Sequence, residues 1–292
     1  LNVDMYALND RVNDLYFGIL LLDEQIKQNT LLQDELERNY RQITAYVENG
    51  IANQADLDAV KVEQLNTKQK RIDLVSSRAA YLKMLSLLVG EALSPETVLE
   101  KPVPQSTVSA VSEIRRPELA LFDAQGAGLQ VQEKALNVRH LPQFGLFVQG
   151  AYGNPGLDML KNEFSPYYMA GVRLSWNFGS LYTLKNDRRV IEKKRQQLDN
   201  NRDVFLFNTR LEMTQQDQAI HSLEKQMRDD DEIIRLRTNI RKAAEAKVAN
   251  GTLTVTEMLR ELTNESLARQ SKAMHEIQRL MGIYQLKYTI ND

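Results

Sequence analysis

Tyr46-Val47-Glu48-Asn49-Gly50-Ile51-Ala52-Asn53 and Lys247-Val248-Ala249-Asn250-Gly251-Thr252-Leu253-Thr254 share the pattern V-x-N-G, 201 residues apart. In each, the glycine can take the left-handed backbone that ends a helix, and Asn53 can cap a following one. Six positions after each glycine comes an acid (Asp56, Glu257), then an apolar residue (Leu57, Met258). A single Asn-Gly turn is common to helical hairpins of many kinds. Two matching turns, each between long helical blocks, favour a duplicated helical hairpin.

The blocks follow from the prolines. All seven lie between Pro95 and Pro166, at 95, 102, 104, 117, 142, 155 and 166. A helix-interior proline costs roughly 3 kcal/mol, so the proline-free flanks, rich in Leu, Ala, Gln, Glu, Lys and Arg, read as long helices. The spacing predicts helices over Val3–Tyr46, Gln54–Leu88, Leu181–Val248 and Val255–Tyr288, with a shorter one over Pro117–Val138. At about 1.5 Å per residue the first two span roughly 50–65 Å, longer than a small domain is wide. Leu184, Ile191, Leu198 and Phe205 recur every seven residues. Leu206, Met213, Ile220, Met227 and Ile234 do so again, shifted by one place. Strict sevens mean a narrow apolar seam and left-handed supercoiling, and the shift re-phases a seam that drifts along a long helix.

Two strands occupy the centre. In 142–152, Phe144, Leu146, Val148 and Tyr152 alternate with Gln143, Gly145, Phe147, Gln149 and Ala151. In 167–178, Tyr168, Ala170, Val172, Leu174, Trp176 and Phe178 alternate with residues that include Arg173. This period of two fits a half-buried hairpin covered by a helix in a soluble protein. It also fits transmembrane β-strands of about 9–11 residues with aromatics near their ends. The helices spend their narrow seams on one another and leave none to cover an apolar sheet, which favours lipid. The parts are thus a helical hairpin over 1–100, a linker and short helix over 101–139, a β-hairpin over 140–179 and a second helical hairpin over 180–292.

Composition excludes much else. The chain is 42% hydrophobic and 26% charged, which argues against disorder, and its net charge of −2 gives no nucleic-acid footprint. With no cysteine there is no thiolate metal site or thiol nucleophile. No run of about 18 apolar residues marks a transmembrane helix. No signal peptide opens the chain, and Leu1 falls directly into polar periodic sequence, so it reads as a mature or trimmed chain. His140, His221 and His275 share no metal-ligand spacing. Gly126-Ala127-Gly128 lacks the strand and third glycine of a dinucleotide loop. Arg228-Asp229-Asp230-Asp231-Glu232 reads as a solvated helix face, and Met213 and Met227 as seam packing. Arg188-Arg189 with Lys193-Lys194-Arg195 reads first as solvated helix and second as a contact for anionic lipid heads. No cofactor and no catalytic constellation is expected.

The order of these motifs resembles the TolC-like outer-membrane efflux protein family across nearly the whole chain. The carriers are the two Asn-Gly turns, Arg116-Pro117-Glu118-Leu119 opening a second half, Leu141-Pro142-Gln143-Phe144 starting a strand, and Leu174-Ser175-Trp176-Asn177-Phe178 ending the returning one. The resemblance implies a mainly α protein of long antiparallel coiled-coil hairpins with strands that join a shared β-barrel. It implies a homotrimer when complete, set in the outer membrane of a Gram-negative bacterium with most of the chain in the periplasm. The chain would be a passive conduit in a tripartite efflux or type I secretion system, not an enzyme. A periplasmic adaptor and an inner-membrane pump would be its partners.

Residue by residue, the resemblance implies adaptor-docking tips at Asn49, Gly50, Ile51, Asn250, Gly251, Thr252 and Leu253. It makes Asp56 and Glu257 constriction-lining, Arg173 lumen-facing, and Phe144, Leu146, Val148, Val172, Leu174 and Trp176 lipid-facing. Three departures stand out. The chain starts inside the family's first tunnel helix, so two of four strands are present. Val248 and Leu253 stand where the family's best-known member has a latch-forming tyrosine and arginine. Arg260 replaces the second acid of the constriction. The rival reading is a soluble periplasmic coiled-coil adaptor or structural protein of an export complex.

Overall fold

The computed structural model describes residues 2–103 and 112–291, so part of the 101–115 linker lies outside the described residues. Its elements are α1 (Asn2–Glu48), α2 (Gln54–Val89), α3 (Pro117–Arg139), β1 (Gln143–Gly153), β2 (Ser165–Ser175), α4 (Ser180–Ala249) and α5 (Val255–Ile290). Every helix predicted from the proline-free blocks is present, each end within two residues of the expectation. In chain order one long helical hairpin precedes the short helix and β-hairpin and a second follows them. Two compact units result: Leu1–Pro117 with Phe207–Asp292, and Glu118–Leu206.

In the first unit α1 is buried on two sides. Leu15 and Ile19 pack on Leu82 and Leu85 of α2, whereas Phe17 and Leu20 pack on Ile277 of α5. Residues two apart on a helix point roughly 200° apart, so one helix serves two neighbours. The α1–α2 approach is close: Tyr81 lies across Gly18, where an added Cβ would sit 2.6 Å from the ring. Met213 and Ile220 of α4 meet Leu286 and Ile290 of α5.

Along the later part of α4 the covered positions include Thr209, Met213, Gln216, Ile220, Leu223, Met227, Asp230, Ile234, Arg237, Arg241, Ala244 and Val248. They alternate in steps of four and three, the seam of a heptad coiled coil. The row containing Met213 is the one read from sequence; its partner row is largely polar. The one-place shift after Phe205 falls where the partner of α4 changes. In the second unit α4 pairs with α3 through Phe122 against Phe205, Glu133 with Arg195 and Asp123 with Arg202. In the first unit it pairs with α5.

The strands form one antiparallel two-stranded ladder, unbroken from Gln143↔Ser175 to Gly153↔Ser165. β2 ends at Ser175, so Trp176 and Phe178, expected as strand residues, lie just beyond it. There Trp176 donates its ring N–H to the His140 carbonyl at 3.2 Å and its ring meets Phe178 at 4.4 Å.

Candidate functional site

The two Asn-Gly turns match bond for bond. Gly50 and Gly251 have φ of 71° and 67°, the left-handed region that glycine enters without a Cβ penalty. Gly50 N–H donates to Val47 O and Ile51 N–H to Tyr46 O; Gly251 donates to Val248 O and Thr252 to Lys247 O. Both are Schellman closures that satisfy the last carbonyls of a helix. The side-chain amides of Asn49 and Asn250 each cap a carbonyl four residues back, at Ala45 and Ala246.

The following helices begin alike. Asn53 accepts from the Asp56 N–H at 3.0 Å while the Asp56 carboxylate accepts from the Asn53 N–H at 3.0 Å. Thr254 and Glu257 repeat this capping box at 3.2 Å in both directions. The two acids expected at a constriction therefore hold the starts of α2 and α5. Hydrogen bonds from the Thr254 hydroxyl and N–H keep the exposed Glu257 carboxyl below the usual glutamate range, so it stays ionised at neutral pH. The signature was legible in sequence as N-x-x-D and T-x-x-E, a signal the spacing argument passed over.

Beneath the turns lies a single core: Leu36 and Ile43 of α1, Val60 of α2, Ala244 and Val248 of α4, and Val255, Met258, Leu259 and Leu262 of α5. Leu253 packs on its edge. Both tips thus rest on one apolar floor, and Val248 and Leu253 belong to it. Asn49, Gly50, Ile51, Asn250, Gly251 and Thr252 are exposed above it.

Two turns of α4 back from Val248, Arg241 is enclosed by three carboxylates. It contacts Glu35 of α1 at 3.2 Å, and bonds Glu245 of α4 and Glu265 of α5. Glu265 also accepts from Arg269 at 2.6 Å and Thr238 at 2.8 Å. Burial pushes the Glu265 carboxyl up, but the bonds from Arg269, Arg241 and Thr238 outweigh it and hold it below the glutamate range. Glu35, Arg241, Glu265 and Arg269 line a cavity of about 280 Å³ with Gln28 and Leu262. Farther along the seam Asp230 is only 5% exposed and lies 2.9 Å from His275 Nδ1, which corrects the reading of 228–232 as a wholly solvated face. No group of three metal-ligating side chains occurs among the described residues.

In the second unit the ladder register sorts the hairpin by polarity. Phe144 faces Leu174, Leu146 faces Val172 and Val148 faces Ala170 on one side. On the other, Gly145 faces Arg173 and Phe147 faces Gly171, with the Arg173 guanidinium 5.6 Å from the Phe147 ring. The apolar side is bare: Phe144, Leu146 and Val148 are 74%, 87% and 81% exposed, and Val172 and Leu174 are exposed as well. No helix among the described residues is long and apolar enough to cross a membrane.

Long antiparallel helical hairpins, apolar-floored Asn-Gly turns and a β-hairpin with one exposed apolar face are the parts of this architecture. The same architecture occurs in solved outer-membrane proteins. The outer membrane protein VceC of Vibrio cholerae superposes with a TM-score of 0.80 over 98% of this chain at 11% identity. The outer-membrane channel OprN gives 0.77 over 98% at 12%, and the Campylobacter jejuni CmeC outer membrane channel 0.74 over 98% at 12%. This chain has the fold of the TolC-like outer-membrane channels, as the turns and strands led us to expect. It spans 70%, 66% and 62% of the length of those three chains. No protein-family profile and no curated protein matches the sequence.

Proposed function

We propose that this chain is the larger part of a passive outer-membrane conduit of an efflux or type I secretion system, assembled as a homotrimer. The observation that carries this reading is the bare apolar face of the hairpin. Six apolar residues, aligned by register and covered by no helix among the described residues, suit hydrocarbon and would be costly in water. Closing strands into a barrel removes the sheet edges, and long helices can wall a water-filled bore while keeping only narrow seams dry.

Second apolar rows support assembly from copies of the chain. On α2, Val62, Leu65, Ile72 and Val75 are exposed, and on α4, Phe207, Leu211, Ile233, Leu236 and Ile240 are exposed likewise. Exposed apolar side chains on two different helices suit a head-to-tail contact that closes into a ring. The exposed turn residues Asn49, Gly50, Ile51, Asn250, Gly251 and Thr252, with Leu253 beneath, are then the docking tips for a periplasmic adaptor that couples to an inner-membrane pump. Arg173 faces the lumen. Asp56 and Glu257 add carboxyl side chains near the tip, which favour cations in a narrow passage.

Planar-bilayer recording of the full-length protein tests this. The protein should form cation-selective pores, and Glu257→Gln should lower the selectivity. A protein that forms no pores and is recovered from cells without detergent would refute the conduit.

A further inference from the structure

The second unit holds a basic surface that nothing above uses. Lys185, Arg189 and Lys193 sit on α4 at i, i+4 and i+8, all exposed, on a different side of the helix from the Leu184, Ile191 and Leu198 row that meets α3. Among the described residues Lys185 and Arg189 form no ion pair, and Lys193 bonds only the Gln196 amide oxygen. Like charges at i, i+4 destabilise a helix slightly, so this row is not explained by helix stability. By contrast, the neighbouring Arg188 and Arg195 are used internally, on Asn137 and Glu133 of α3. Arg139, the last residue of α3, is exposed at the foot of β1.

Position gives the row its meaning. Helix α4 starts five residues after β2 ends, and Trp176, Phe178 and Tyr182 lie in between and just after, all exposed. Amphipathic aromatics at the end of an apolar span mark the level of lipid headgroups. At about 1.5 Å per residue, Lys185 and Arg189 follow the start of α4 by roughly 8 and 14 Å, within about one to two Debye lengths of that level.

We propose that Arg139, Lys185 and Arg189 form a docking surface for anionic phospholipid headgroups of the leaflet on the helical side of the membrane. The proposal rests on the lipid-facing reading of the hairpin. Guanidinium forks grip phosphate oxygens bidentately and the lysine adds a point charge, while the Trp176 indole, fixed by its bond to His140, holds the acyl-chain boundary.

Trp176 is the only tryptophan of the 292 residues and reports from the site itself. The full-length protein, with any tryptophan outside these residues replaced by phenylalanine, is reconstituted into bilayers of brominated phosphatidylglycerol or brominated phosphatidylcholine mixed with the unbrominated lipid. Quenching of Trp176 should give an exchange constant favouring phosphatidylglycerol by about fivefold, the factor one effective basic side chain contributes at an anionic surface. The preference should fall toward unity in 0.5 M salt (on the order of a 4 Å screening length). It should vanish in the Arg139→Gln/Lys185→Gln/Arg189→Gln variant while quenching by phosphatidylcholine persists. Equal quenching by both lipids, or a preference that survives the triple substitution, overturns the anionic surface and leaves the lipid-facing hairpin standing. No quenching by either lipid removes the hairpin reading and the surface with it.

Discussion

Replacing Arg241 with leucine removes the cation that, alone among the described residues, touches Glu35, Glu245 and Glu265 together. The Glu265 side chain is 6% exposed and that of Arg241 13%, so the pair sits largely out of water. Deleting one partner of a buried ion pair costs about 3–5 kcal/mol, because the remaining charge is left uncompensated. Here Arg269 and Thr238 still bond Glu265, which puts the expected loss near the lower end, about 3 kcal/mol at neutral pH. The second substitution, Glu265→Leu, should restore at least about half of it, since an apolar pair can replace a buried ionic one.

The pH dependence follows from Glu265. Its folded carboxyl lies below the ordinary value of 4.5, so its contribution is complete above that value and is lost as pH falls through the lower folded one. The gap between parent and Arg241→Leu should therefore close or reverse as pH falls through the lowered Glu265 value, where the parent instead buries an unpaired guanidinium. Urea unfolding followed by circular dichroism at several pH values measures this. A variant within about 0.5 kcal/mol of the parent at neutral pH, or a gap that does not change with acid, would refute the argument.

Gly251→Ala should cost about 1–2 kcal/mol through its left-handed backbone, and Gly251→Asn clearly less, both read from urea midpoints at unchanged slope. Thr254→Ala should lose about 1 kcal/mol with the capping box, and Thr254→Ser almost none. Gly18→Ala should destabilise by about 1–3 kcal/mol against the Tyr81 ring, with Tyr81→Leu in the same chain relieving most of it. In the full-length protein, Leu146→Arg should oppose folding into vesicles by about 2–4 kcal/mol if that face meets mid-bilayer lipid; unchanged insertion would count against it.

Much of this architecture was written in one dimension. Helix ends were legible because glycine, proline and capping side chains act within a turn or two of themselves, so Gly50, Gly251 and Pro117 announce boundaries wherever the chain goes. The hairpin faces were legible because a period of two is a property of the strand alone. The duplication was legible because both turns solve the same local problem with the same residue types.

What no stretch of sequence could decide is which side chains share a space. Half of the α4 seam is polar, and Asp230, Arg237 and Arg241 look like solvated charges until α1 and α5 supply His275, Glu261, Glu35 and Glu265. Asp56 and Glu257 looked like channel charges and are helix caps as well, because each carboxylate bends back onto its own cap N–H. Val248 and Leu253, at positions suggesting a latch, lie on a common floor built from four helices. Local rules fix where a chain stiffens and turns, since they act between near neighbours. The partner of a buried charge is set by residues tens or hundreds of positions away, and only packing brings those together.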